Sequence, residues 1–236
     1  AKGLANGVPS GAVTAGAVVY IAAEVGPDNL GRIARRFGFT TIPEKPPLSV
    51  ALGSKEVTLL ELAGAYQTFQ LGGRRPSRVT LIQEITTARG DLVYRRTNSA
   101  PVPAYDRADN AQMVRMLKGV IEYGTGTRAA FGRPAAGKTG TSQSWRDAWF
   151  VGFTPDWTAG VWVGNDDNRP TAKITGGDLP AAIWRRFMIE AHQGLPVRDF
   201  DGLAPERRQL EARDAFYAEL AAEFAREAGE GVGSRE

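Results

Sequence analysis

Three strand patterns follow one another between Lys138 and Gly164, and they are apolar on both faces. They read as Lys138–Ser142, Ala148–Phe153 and Thr158–Gly164, with Thr154-Pro155-Asp156 turning the second into the third. Trp149, Phe150 and Val151 in the second, and Val161, Trp162 and Val163 in the third, leave neither side polar. A sheet with two apolar faces must be covered on both by helices. The expected fold class is therefore α/β (α+β), an antiparallel sheet sandwiched between helices.

Helical spacing supplies those helices. Patterns run over Gly16–Glu24, Asn29–Phe37, Thr58–Phe69, Ala108–Tyr123 and Pro180–His192, and Gly38 ends the second. Expected core faces are Val18, Ile21, Ala22 and Val25 in the first, and Leu59, Leu62, Ala63 and Tyr66 in the third. Met113, Met116, Leu117, Val120 and Ile121 form the face of the fourth; Ile183, Trp184, Phe187 and Met188 serve the last. Thr40–Val50 is a proline-rich loop. Val79–Ile85 and Leu92–Tyr94 read as a hairpin turning at Ala88–Asp91. Gly124-Thr125-Gly126 reads as a helix-ending turn, since no strand precedes it and no Gly-Lys-Ser/Thr completes a phosphate loop.

The uncharged stretch from Gly3 to Ala23 is too rich in glycine, with Pro9, Ser10 and Thr14, to make a membrane span. It reads as a loop followed by a buried helix. Leu203–Ala228, dense in charge, reads as a surface helix, and the last eight residues as a disordered tail. The expected division is 1–195 for the main domain and 196–236 for the charged helix and tail. A chain that opens on Ala reads as an excerpt of a longer protein.

With no cysteine and one histidine, His192, the chain has neither disulfides nor a cysteine- or histidine-rich metal site. A serine enzyme built from these residues would more readily use a lysine base than a Ser-His-Asp triad. The net charge of +3 is carried by scattered arginine pairs, which argues against nucleic acid as a partner. No metal or organic cofactor is indicated.

The chemistry gathers at Lys138-Thr139-Gly140-Thr141-Ser142. On a strand edge such a run is a carboxylate-binding device. The ammonium is a point charge, the hydroxyls are donors, and the glycine lets a ligand's backbone lie flat against the strand. Asp147 could orient the lysine or hold the turn, and Arg146 could meet a substrate carboxylate or stand in solvent. His192 fits a structural role as a cation at a helix end.

Gly137–Pro155, which reads Gly-Lys-Thr-Gly-Thr-Ser-Gln-x-x-Arg-Asp-Ala-Trp-Phe-Val-Gly-Phe-Thr-Pro, resembles the transpeptidase domain of class A bifunctional penicillin-binding proteins. So do Ala159–Asp166, Thr175-Gly176-Gly177, Leu179–Trp184, Ala51–Ser54, Glu56–Ala63 and Gly124–Thr127. The resemblance runs from about residue 17 to 190. It implies a serine β-lactamase/transpeptidase-like fold, incomplete at its N-terminus, and a D,D-transpeptidase that cross-links peptidoglycan stem peptides and is acylated by β-lactams. It implies catalytic roles for Lys138 and Thr141, the latter's backbone N–H forming half of an oxyanion hole, and substrate-binding roles for Thr139, Gly140 and Ser142. It further implies a place on the outer face of the cytoplasmic membrane, held by a segment outside this chain, among cell-wall synthesis proteins.

Two departures qualify it. The family's nucleophile lies in a Ser-x-x-Lys motif, and none of the serines here (10, 49, 54, 77, 99, 142, 144 and 234) has Lys three residues on. The second motif, Ser-x-Asn, aligns with Val13 and Ala15, which can neither give nor take a proton. The chain alone is therefore expected to be inactive. The alternatives are a non-catalytic domain binding peptidoglycan or a partner, and a serine β-lactamase.

Overall fold

The computed structural model describes residues 10–76, 81–97 and 100–203. The chain divides into two units, Ala1–Asp201 and Gly202–Glu236, and only Gly202 and Leu203 of the second are described. The expected Leu203–Ala228 helix after its first residue, and the tail, thus lie outside the described residues, as does the start of the expected hairpin. No described helix is long and apolar enough to cross a membrane.

Five α-helices are described: α1 (Ser10–Val25), α2 (Pro27–Phe37), α3 (Leu59–Gln70), α4 (Arg107–Glu122) and α5 (Leu179–Ala191). Strands β1 (Arg74–Arg75) and β4 (Val102–Pro103) pair, as do β2 (Glu84–Thr86) and β3 (Leu92–Arg95). The main sheet holds β5 (Ala136–Thr141), β6 (Asp147–Phe153) and β7 (Thr158–Gly164) in that order, all antiparallel.

Helix ends follow local chemistry. Thr58 caps α3 in a capping box, its Oγ1 accepting from the Glu61 N–H while Glu61 Oε2 accepts from Thr58 N. Asp106 caps α4 through the N–H groups of Ala108 and Asp109. Gly38 closes α2 in the left-handed conformation.

Register decides what each sheet face meets. Lys138 lies opposite Val151 and Gly140 opposite Trp149, whereas Thr139 lies opposite Phe150 and Thr141 opposite Ala148. Opposed residues share a face. On one face Phe153 meets Tyr66 and Phe69 of α3, and Phe69 in turn meets Phe37 and Tyr105. On the other, Phe150 packs on Trp184 of α5, within a core that includes Ile121, Ala129, Ala181 and Met188. The Trp184 indole N–H also donates to the carbonyls of Gly152 and Ala159, tying α5 to neighbouring strands. Helices cover both faces, as the doubly apolar strands require.

The core is narrower than sequence periodicity suggests. Residues 10–16 are helical rather than loop. α1 is not a buried helix: among residues 17–25 only Ala22 is buried, and Tyr20, Ile21 and Val25 are exposed. In α4, Val114, Leu117 and Ile121 are buried while Met116 is exposed. In α5, Trp184 and Met188 face the sheet while Ile183 and Phe187 face outward. A periodic pattern gives the width of an apolar stripe, and here each neighbouring layer covers only part of it.

Candidate functional site

The candidate site is the open edge of β5. Only β6 pairs with this strand, so its other edge has no strand beside it among the described residues. Lys138, Thr139, Gly140 and Thr141 fall on β5, and Ser142 follows it directly. Lys138 starts on the face of the sheet opposite that of Thr139 and Thr141. Its side chain curls around the strand edge, so that Nζ donates to Thr139 O at 3.0 Å and to Thr139 Oγ1 at 3.5 Å. The ammonium thus sits beside a hydroxyl it could not meet by alternation alone.

Lys138 is exposed at its surface yet crowded by surrounding protein, and that desolvation lowers its pKa from the ordinary lysine value. No carboxylate pairs with it among the described residues. A partly desolvated cation without a counter-ion is suited to receive an anion.

Two further segments complete the edge. Thr125, in the turn after α4, shares a 2.7 Å hydrogen bond between its Oγ1 and that of Thr139. Gly176 N donates to Thr141 Oγ1 at 3.1 Å. The Thr175-Gly176-Gly177 turn lies flat on this layer. A Cβ at Gly176 would stand 2.2 Å from Trp149 O, and one at Gly177 would stand 2.2 Å from Thr125 O. No side chain fits in either place, so the glycines are required for the approach. Beneath them Asp178 is held ionised below its usual range, first by the Thr175 hydroxyl at 2.7 Å and also by Arg128 at 3.5 Å. Three glycine- and threonine-rich runs far apart in sequence thus meet at one strand edge. Sequence reading singled out Lys138 to Ser142 and left Thr125 as a turn residue. The signal for Thr125 was its Gly-Thr-Gly-Thr setting, whose spatial partner no local pattern reveals.

The remaining singled-out residues make contacts within the scaffold. Ser142 Oγ accepts from Asp147 N, and Ser142 N donates to Asp147 O, closing the β5–β6 turn. The Asp147 carboxylate accepts from Trp162 Nε1 at 3.0 Å, so it neither orients Lys138 nor caps the turn with its side chain. Trp149 and Trp162 face one another across β6 and β7 at the sheet margin, with Trp162 exposed rather than in the core. His192 is buried at the C-terminal end of α5. Its Nδ1–H donates to Met188 O and its Nε2 bonds Thr154 Oγ1 at 2.9 Å. Among the described residues no group of His, Cys, Asp and Glu is placed to hold a metal ion.

Residues 17–188 match the family described as the penicillin binding protein transpeptidase domain. Penicillin-binding protein 1A of Rickettsia prowazekii is 34% identical over 228 residues, covering 86% of this chain. The chain spans only 28% of that relative's length. Among solved structures, the penicillin-binding protein PonA1 of Mycobacterium tuberculosis superposes with a TM-score of 0.71 at 22% identity, over 79% of this chain and 55% of PonA1. A second PonA1 structure, in complex with penicillin V, matches with a TM-score of 0.69 at 24% identity, over 79% of this chain and 56% of that one.

Proposed function

The chain belongs to the penicillin-binding protein transpeptidase family, and from that premise we propose that it is the C-terminal part of a peptidoglycan D,D-transpeptidase. The observation that carries the reading is the desolvated, unpaired Lys138 beside the Thr139 hydroxyl on an open strand edge. A stem peptide ending in D-Ala-D-Ala would lie along β5 with its terminal carboxylate at Lys138 and Thr139. A serine from outside residues 1–236 attacks the penultimate carbonyl, and the backbone N–H near Thr141 stabilises the oxyanion. The C–N bond breaks, D-Ala leaves with a proton, and an amine of a neighbouring stem takes the acyl group. Lys138 holds the carboxylate and favours proton transfer by its charge; Thr139 and Thr141 fix the peptide, with Gly140 leaving room for its backbone.

β-Lactams acylate the same serine in this reading, consistent with the penicillin V bound to PonA1. The protein works on the outer side of the cytoplasmic membrane with other wall-synthesis proteins. The absence of Ser-x-x-Lys and Ser-x-Asn favours a second reading, a binding domain of the same fold without catalysis. Release of D-Ala from an N-acetylated D-Ala-D-Ala peptide by the intact protein separates the two. The transpeptidase reading expects turnover that falls about 100-fold or more in Lys138→Met, the scale of removing one electrostatic stabiliser. Turnover indifferent to that substitution would contradict it.

A further inference from the structure

The two hydroxyls on which the proposed chemistry relies are each held from outside β5. Thr125 Oγ1 bonds Thr139 Oγ1 at 2.7 Å, and Gly176 N donates to Thr141 Oγ1 at 3.1 Å. Thr125 belongs to the turn after α4 and Gly176 to the turn before α5, so the two holders come from distant parts of the chain. The turns meet where Gly177 lies against Thr125 O, a contact without a directional bond.

A charged pair joins the same two turns. Arg128 Nη1 stands 3.5 Å from Asp178 Oδ1. Asp178 occupies the N-cap position of α5, where a carboxylate ordinarily accepts from the first N–H groups of the helix. Among the described residues its side chain makes no such bond. Instead Oδ2 accepts from Thr175 Oγ1 at 2.7 Å, and Asp178 N donates to Thr175 O at 3.1 Å. These two bonds close the turn that presents Gly176 N. On the other side, Arg128 lies in a single 3-10 turn, Thr127–Ala129, whose Ala129 is fully buried in the core that includes Ala181 and Trp184 of α5. Ala129 N donates to Gly126 O at 2.9 Å and Gly126 N to Val120 O at 2.8 Å, so Arg128 and Thr125 share one hydrogen-bonded run anchored on α4. A carboxylate that leaves its own helix uncapped to meet a cation on another turn points to the join it makes.

We infer that Arg128 and Asp178 are a positioning pair that clamps the two turns together and, through them, sets the places of the Thr139 and Thr141 hydroxyls along β5. Both side chains stand well into solvent, 65% and 47% exposed, so the pair adds little to folding stability. What it adds is placement, to which the rate of acyl transfer is sensitive. This inference rests on the transpeptidase reading above and adds to it residues that act through the threonines rather than on the substrate.

The test is the second-order rate of penicillin acylation of the intact protein, with the melting temperature read alongside. Arg128→Met removes the cation, and Asp178→Asn removes the charge while keeping an acceptor for Thr175. Each should slow acylation up to about five-fold, the ceiling for one exposed charge pair, at an unchanged melting temperature. The two together should slow it no further than either alone, because they break one interaction. Arg128→Lys should keep the unmodified rate. Arg128→Glu, which sets like charges together, should slow acylation beyond Arg128→Met, and adding Asp178→Asn should bring it back to that level. A rate indifferent to Arg128→Met overturns the clamp alone. So does a faster rate in Asp178→Asn, the result expected if a freed Arg128 served the ligand directly. A melting temperature that falls in step with the rate makes the pair part of the scaffold and overturns the clamp as well. If penicillin does not acylate the unmodified protein, the transpeptidase reading fails and the clamp with it.

Discussion

At the scale of single residues, the proposed function and stability pull apart at Lys138. Desolvation disfavours its ammonium, and no carboxylate offsets that cost among the described residues. Its lowered pKa means that the charged form is tolerated rather than favoured by the fold. Lys138→Met is therefore expected to leave the melting temperature unchanged or raised while β-lactam acylation of the intact protein collapses. A calorimetric scan beside an acylation assay reads both. A loss of stability would mean that the lysine holds the fold rather than a ligand. His192 is the opposite case. Both ring nitrogens are bonded in a buried setting, and Thr154 Oγ1 also accepts from the N–H groups of Asp156 and Trp157. His192→Ala should cost about 1–3 kcal/mol in a denaturant titration, because it leaves buried polar groups unpaired. Nothing in a lone histidine at a helix end signals this, since Thr154 is 38 residues away in sequence.

At the scale of elements, the N-terminus of α3 carries a pH dependence. Hydrogen bonds from Thr40, and then from Thr58, hold the Glu61 carboxyl at about 2 against an ordinary 4.5. The folded value is depressed, so this contribution is fully present above about pH 4.5 and fades as pH falls toward about 2. Glu61 is only partly covered, and solvent screening keeps the effect small. Glu61→Gln should flatten that acid limb in a series of urea titrations, and Thr58→Ala should cost about 1 kcal/mol at neutral pH. Across the sheet, Trp184→Phe strands two carbonyl partners on β6 and β7 and should cost about 1–3 kcal/mol. These elements were largely legible in the sequence. The run from Lys138 to Gly164 announces three strands because turns punctuate it, and α4 announces itself by spacing. What spacing could not say is which part of each stripe a neighbour covers, hence exposed Met116, Ile183 and Phe187. Nor could local pattern reveal that Thr125, Thr139 and Gly177 form one packed layer, because a strand edge and two turns meet only in three dimensions.

At the scale of the whole molecule, the described residues leave much apolar surface open. Tyr20 and Ile21 of α1, Ile85, Val93 and Tyr94 of the β2–β3 hairpin, and Phe187 of α5 are all exposed. A surface of that kind attracts apolar dyes and other chains. Residues 1–236 should bind an environment-sensitive naphthalene dye strongly. An edge strand can hold a carboxylate and help shape an oxyanion site, yet acyl transfer needs a nucleophile and a base, and no serine here stands three residues before a lysine. The decisive measurement is therefore the position of the penicillin adduct. After the intact protein is treated with penicillin and digested, mass spectrometry should find the acyl group on a serine outside residues 1–236, and Lys138→Met should reduce its yield. An adduct on any serine within residues 1–236, at stoichiometric yield, would contradict the account.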